Sequence, residues 1–126
     1  MAIKHVCSKW NHAEDKLVIH LEPSLEKNQI VRMAGQMLVD SEKLAFVYLV
    51  DCKDGYHYVV FNRNQWPTLK ESLEDKRPVY ILTDEGELEL VQFHSELAYL
   101  LSNIQDNPNY GEKMNEEVRR IFFNKD

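Results

Sequence analysis

The sequence predicts an α+β fold: a largely antiparallel sheet of hairpins with a mid-chain helix and two C-terminal helices. Three observations predict it. Two short turn sequences, Asp54-Gly55 and Asp84-Glu85-Gly86, each separate a pair of strand-like runs. Asn64 and Pro67 mark a helix start between those hairpins. The last third of the chain carries two apolar stripes at helical spacing. Hairpin-sized turns favour antiparallel neighbours, because parallel strands need crossovers of a dozen or more residues.

Taken in order, 3–10 and 16–21 read as two strands around the polar turn 11–15. In the second, Leu17, Ile19 and Leu21 alternate with Lys16, Val18, His20 and Glu22, a period-2 pattern with one mostly wet face. Pro23 and Ser24 break the run. From 25 to 40 two readings stay open. Val31, Ala34 and Leu38 suit a helical face, while Gly35 interrupts it and 37–39 suits a strand.

The runs 44–53 and 56–62 are apolar on both faces, and Asp54-Gly55 between them is a favoured type I′ turn. That turn would pair Val50 with Val59, Leu49 with Val60 and Tyr48 with Phe61. Strands buried on both sides belong inside a sheet or at a subunit contact. Asn64 can then cap a helix with Pro67 in its first turn, where a missing N–H costs little. Its stripe is Trp66, Leu69 and Leu73. The second hairpin joins 79–83 to 87–91 across Asp84-Glu85-Gly86. With that three-residue turn, Tyr80, Leu82, Leu88 and Leu90 share a face, and Glu87 and Glu89 point away. Phe93, Leu97, Leu100, Leu101 and Ile104 make the first terminal stripe, and Met114, Val118, Ile121 and Phe122 the second. These helices are expected to cover one sheet face.

A chain of 126 residues fits one domain, 1–126; a second would be too small to bury its own core. The 44% hydrophobic and 29% charged fractions are those of a globular protein rather than a disordered one. A net charge of -6 argues against a nucleic-acid backbone binder, and no run of Lys or Arg points to a local basic patch. No stretch approaches the roughly 18 apolar residues of a membrane span. The N-terminus carries His5, Lys9 and His12 and lacks a signal-peptide core, so Cys7 and Cys52 are expected as reduced thiols in a cytoplasmic protein.

Five histidines stand in no metal-binding spacing pattern. His5 and Cys7 share strand parity and His20 falls across from them, but scattered strand residues are the simpler reading, and neither a metal nor a cofactor is expected. Cys52 and His57 form a sharper pair. Across a two-residue Asp54-Gly55 turn they would sit opposite each other, where a histidine can generate a thiolate. A third orienting group and an oxyanion hole are missing from that picture. Asp51, Asp54, Asp84, Glu85 and Glu87 lie near turns without the ligand series of a calcium loop. His94 and Glu96, two residues apart, do not share a helix face. No phosphate-cradling glycine motif occurs.

The central aromatics suit a core, an interface or a pocket. Tyr48, Tyr58, Val60 and Trp66 are the candidate interface or pocket residues. The sequence thus points to a non-catalytic protein-interaction module that self-associates as a homodimer. The alternative is a small-molecule-binding protein or small enzyme with an unfamiliar site near the central hairpin.

One further pattern is made of words rather than chemistry. The stretch Gly35-Gln36-Met37-Leu38-Val39-Asp40-Ser41 with Ala45-Phe46 resembles the YjbL-like proteins of Bacillus, Staphylococcus and relatives. So do Phe93-His94, Glu96-Leu97, Asn103-Ile104 and Asn109-Tyr110-Gly111. The resemblance runs from about Gly35 to the C-terminus. It implies a bacterial cytosolic protein of an uncharacterised family and carries no activity or site residues with it.

Overall fold

The computed structural model describes residues 3–105 and 107–123. Among them the chain forms seven strands: β1 (Ile3–His12), β2 (Leu17–Glu22), β3 (Ile30–Asp40), β4 (Ala45–Cys52), β5 (Gly55–Asn62), β6 (Val79–Thr83) and β7 (Gly86–Glu89). Three α-helices accompany them: α1 (Trp66–Asp75), α2 (Phe93–Ile104) and α3 (Glu112–Phe122). The strands make one curled sheet in the order β3-β4-β5-β1-β2-β6-β7. Four neighbouring pairs are antiparallel. The other two, β1–β5 and β2–β6, are parallel, because the β1–β2 hairpin is flanked by one strand from each of two later hairpins. No helix among the described residues is long and apolar enough to cross a membrane.

All three helices pack on one face of this sheet. Phe93, Leu97, Leu101 and Ile104 from α2, Met114, Val118 and Phe122 from α3, and Trp66 and Leu69 from α1 join one core with inward residues of the strands. Fully burying each such side chain contributes roughly 1.5–3 kcal/mol. The aromatic part of the core makes two groups of ring contacts: Phe46 lies 5.0 Å from Trp66, and Phe61 5.4 Å from Phe93, measured between ring centroids. On the helix layer's flank, the Glu117 carboxylate accepts hydrogen bonds from Arg63 (2.8 Å) and Arg120 (2.9 and 3.1 Å), tying α3 to the turn ahead of α1.

The segment left open by its sequence is β3, an edge strand. Met33 pairs with Val50 and Met37 with Tyr48, so three residues of β3 oppose the single Leu49. Gly35 lies in this bulge at φ +66°, and its backbone approaches the side chain of Gln92. The bulge breaks the alternation of the strand, so Val31, Ala34 and Leu38 mimic a helical spacing.

Both hairpins turn earlier than their sequences suggest. Cys52 pairs with Gly55, leaving Lys53-Asp54 in the first turn. A type I′ turn needs positive φ at both central positions. Here Gly55 alone has it, at +117°, as the first residue of β5. The predicted pairs are therefore replaced by Val50 with His57, Leu49 with Tyr58 and Tyr48 with Val59. This two-residue slip preserves which face each side chain occupies. In the second hairpin Thr83 pairs with Gly86, so the turn is Asp84-Glu85 alone. That slip is by one residue, and it does exchange faces. Leu88 joins Ile81, whereas Tyr80 and Leu82 stand opposite Glu89 and Glu87. Asn64 does not cap α1; it sits within a short 3-10 turn, Arg63–Gln65, that leads into Trp66.

Candidate functional site

Strand alternation divides the central strands between two environments. Phe46, Tyr48, Val50 and Cys52 of β4 and Val59 and Phe61 of β5 belong to the helix-side core. The intervening residues Ala45, Val47, Leu49 and Val60 form a second apolar cluster on the opposite face, with Val6, Ala34 and Tyr58 packed against it. Pairing places Leu38, Val47, Val60 and Val6 side by side across β3, β4, β5 and β1. Leu49, Tyr58 and Lys4 make the next row, and Asp40, Ala45 and Asn62 the row on the other side. Mutual packing leaves Val47, Leu49 and Val60 more than nine-tenths buried, while Leu38 at the edge is 39% exposed.

A concavity of about 330 Å³ opens on this face. Its floor is Ala45, Val47 and Val60, and its walls include Leu38 and Tyr58. Around it stand Lys4, Asp40, Glu42, Lys43 and Asn62. Tyr58 and Val60, singled out from the sequence, thus line one concave site on the face away from the helices. Tyr48 and Trp66 do not join them. Both are fully buried on the helix side. The Tyr48 hydroxyl donates to the Val91 carbonyl at 2.7 Å, and burial raises its pKa. The Trp66 indole N–H donates to the Phe61 carbonyl at 3.3 Å. Their part is to hold the helix layer on the sheet.

Cys52 and His57 share the inward face but are not partners, since Cys52 faces Gly55 and His57 faces Val50. Burial, with help from the charges of Asp54 and Asp51, pushes the Cys52 thiol up to about 11. Burial likewise pushes Cys7 up to about 12. Such thiols are poor nucleophiles at neutral pH. Both cysteines are free and buried.

Instead, His57 meets His5. Parallel pairing of β1 with β5 sets Ile3 beside His57 and His5 beside Val59, so the two rings neighbour each other on the inward face. Their rings are nearly parallel and meet edge to edge, with centroids 5.1 Å apart and an interplanar angle of 16°. Nε2 of His5 lies 2.9 Å from Nδ1 of His57. The outer nitrogens are also engaged: Nδ1 of His5 donates to the Pro23 carbonyl at 2.6 Å, and Nε2 of His57 donates to the Asp54 carboxylate at 2.8 Å. The histidines are 3% and 6% exposed. This pair escaped the sequence reading, which placed His5 with Cys7 and His20 and set His57 against Cys52. The contact spans 52 residues and depends on a parallel pairing that no local signal announces.

His20 lies on the other face. Ile19 and Leu21 point inward, and His20 bonds instead to the Asn11 side chain at 2.8 Å. The His5, Cys7 and His20 grouping therefore does not form. Among the described residues no cluster of three or more His, Cys, Asp or Glu side chains is arranged to hold a metal ion. His94 and Glu96 also go separate ways: Glu96 accepts from the Met37 backbone N–H, whereas Nε2 of His94 is buried without a partner.

Comparison with known proteins gives a consistent set of relatives. A model of UPF0738, a family of unknown function, matches residues 5–122. The UPF0738 protein YjbL of Bacillus subtilis (strain 168) is 44% identical over 83% of this chain and 87% of its own. The UPF0738 protein of Bacillus pumilus is 41% identical over 87% of this chain and 89% of its own. The UPF0738 protein GWCH70_0774 of Geobacillus sp. (strain WCH70) is 35% identical over 98% and 99%. The likeness thus begins well before Gly35 and takes in β1 and β2. No solved structure matches.

Proposed function

The chain belongs to the UPF0738 family, and since that family's function is unknown we propose from the geometry that the protein is a non-catalytic interaction module that pairs with a second copy of itself. The observation that carries this reading is the apolar row Leu38, Val47, Val60 and Val6, running across four strands on the face opposite the described helices. A face meant only for water would alternate to polar residues there. The rim supports a second copy as the partner. Lys4 and Lys43 stand beside Asp40 and Glu42. In a two-fold contact each patch meets itself, so a rim of mixed sign can neutralise its own charges across the axis.

The contact is expected to be weak. Val47, Leu49 and Val60 are already shielded within one chain, so the free apolar surface comes mainly from Leu38, Val6 and Tyr58. A cytosolic setting is part of the same proposal, supported by the two free thiols. Nucleic acid is not included as a partner, given the net charge of -6.

Sedimentation at micromolar concentration tests this. Self-association gives a mass approaching twice the 14.9 kDa of one chain and rising with concentration. Tyr58→Glu, at a half-buried position, should return a folded protein to the monomer, because an unpaired charge in that contact is costly to desolvate, whereas Val60→Glu buries its charge within a single chain and should also cost fold stability. A wild-type mass that stays at one chain at every concentration refutes it.

A second reading is favoured by the concavity itself. An apolar floor with Lys4, Tyr58 and Asn62 converging on about 330 Å³ is the form of a small-molecule site. In that case the chain stays monomeric, and a ligand raises its melting temperature in a manner that Tyr58→Glu abolishes.

A further inference from the structure

We infer that the buried His5 and His57, with the Pro23 carbonyl and the half-exposed Asp54 carboxylate, form a binding site for one proton, which the two rings share. The inference is independent of the docking face. It rests on counting the protons that the hydrogen bonds require. The Pro23 carbonyl can only accept, so Nδ1 of His5 carries a hydrogen. The Asp54 carboxylate can only accept, so Nε2 of His57 carries another. The remaining contact, Nε2 of His5 to Nδ1 of His57 at 2.9 Å, needs a third. Two neutral imidazoles supply two hydrogens. With only those two, a pair of lone pairs would face each other at hydrogen-bond distance. With four, two cations would lie with centroids 5.1 Å apart and the central contact would have no acceptor. The chain of bonds closes with three hydrogens: one imidazolium shared between two rings, balanced by one carboxylate.

The surroundings agree with that count. The hydrogen bond from His57 holds the Asp54 carboxyl below its ordinary range, so Asp54 remains the anion. Burial lowers the pKa of His5, the Pro23 bond works against that, and His57 adds to it, so the central hydrogen bond and the Asp54 carboxylate have to hold the shared proton against this cost. The other titratable groups on this face of β1, β4 and β5 are the Tyr48 hydroxyl and the thiols Cys7 and Cys52. Burial keeps all three neutral. Lys4 and Tyr58, next to the histidines in sequence, line the concavity on the opposite face. The segment after β2 contributes the Pro23 carbonyl. The proton therefore ties together the start of β1, the chain following β2 and the β4–β5 turn.

The consequence for stability has opposite signs on the two sides of the free-histidine pKa of about 6.5. Above it the unfolded chain holds neither proton and the folded chain holds one. The unfolding constant then rises with pH, by up to about tenfold per unit, until the site empties. Below it the unfolded chain holds two protons against one, so the unfolding constant rises as pH falls, again by up to about tenfold per unit.

The test is a titration of the ¹⁵N-labelled wild-type protein, following the four ring nitrogens of His5 and His57 by long-range ¹H–¹⁵N correlation. Near pH 7, Nδ1 of His5 and Nε2 of His57 should both be protonated, with a single hydrogen between the other two. Two ordinary neutral rings at that pH, two imidazoliums, or a metal bound between the rings would each overturn the inference. Urea unfolding from pH 5 to 9 gives a second readout. Relative to His57→Gln and to His5→Gln, the wild type should gain stability around neutrality and lose that gain on both sides. Parallel profiles would overturn the inference as well.

Discussion

Replacing Gly35 with alanine tests the least legible part of the fold, the bulge in β3. The residue sits at φ +66°, where a side chain strains the backbone, and an ideal Cβ would lie 2.5 Å from Oε1 of Gln92. Left-handed backbone costs an L-residue about 1–2 kcal/mol. The clash adds little, because the amide oxygen is the end of a flexible side chain and can swing away. The reduced freedom of the unfolded chain offsets part of the strain, about 0.4–1 kcal/mol. The net expectation is a loss of about 1 kcal/mol, which lowers Tm by about 3–5 °C in a chain of this size. Urea denaturation followed by tryptophan fluorescence measures it. Repeating the substitution in a Gln92→Ala background separates the two causes: the strain persists, and the coupling between the positions is only a few tenths of a kcal/mol. A Gly35→Ala protein as stable as the wild type would refute the reasoning. So would a loss that vanishes entirely once Gln92 is shortened.

Three other outcomes follow from the same structure. At pH 8 Cys7 and Cys52, pushed up to about 12 and about 11, should react with a thiol reagent at least about a hundredfold more slowly in the native protein than in urea; a native rate equal to the unfolded one would contradict their burial. Hydrogen bonds from Arg120 and then Arg63 hold the Glu117 carboxyl at about 2, below its ordinary value near 4.3. Its contribution is present above that ordinary value and lost as pH falls from about 5 towards 2, so Glu117→Gln should flatten this part of the acid limb of the stability profile. Dialysis against EDTA should leave the melting transition in place; a large drop would reveal a structural metal.

The helices were legible because their information is local. Phe93, Leu97, Leu101 and Ile104 recur at a period that only a helix brings to one side, and the structure buries all four. The same holds for Met114, Val118 and Phe122. The turns were half legible. Asp-Gly and Asp-Glu-Gly mark where the chain reverses, but the residue that takes positive φ sets the register, and in both hairpins that residue is the glycine opening the second strand. In β4–β5 the slip is by two and changes only partners. In β6–β7 it is by one, and the predicted face of Tyr80 and Leu82 is exchanged.

The candidate site divides along the same line. Sequence alone determined an α+β chain, its two hairpins, its helical stripes, and the doubly apolar run that makes the outer face worth attention. It singled out Tyr58 and Val60, which line the outer concavity, together with Tyr48 and Trp66, which are buried on the helix side. Only the tertiary structure decided which face the helices cover, where the edge strand bends, and that β1 lies parallel to β5 so that His5 meets His57 across 52 residues. Periodicity reports how a segment meets an interface, because it is written in neighbouring side chains. It does not report which distant segment supplies that interface, because strand order depends on loop closure and core packing summed over the whole chain.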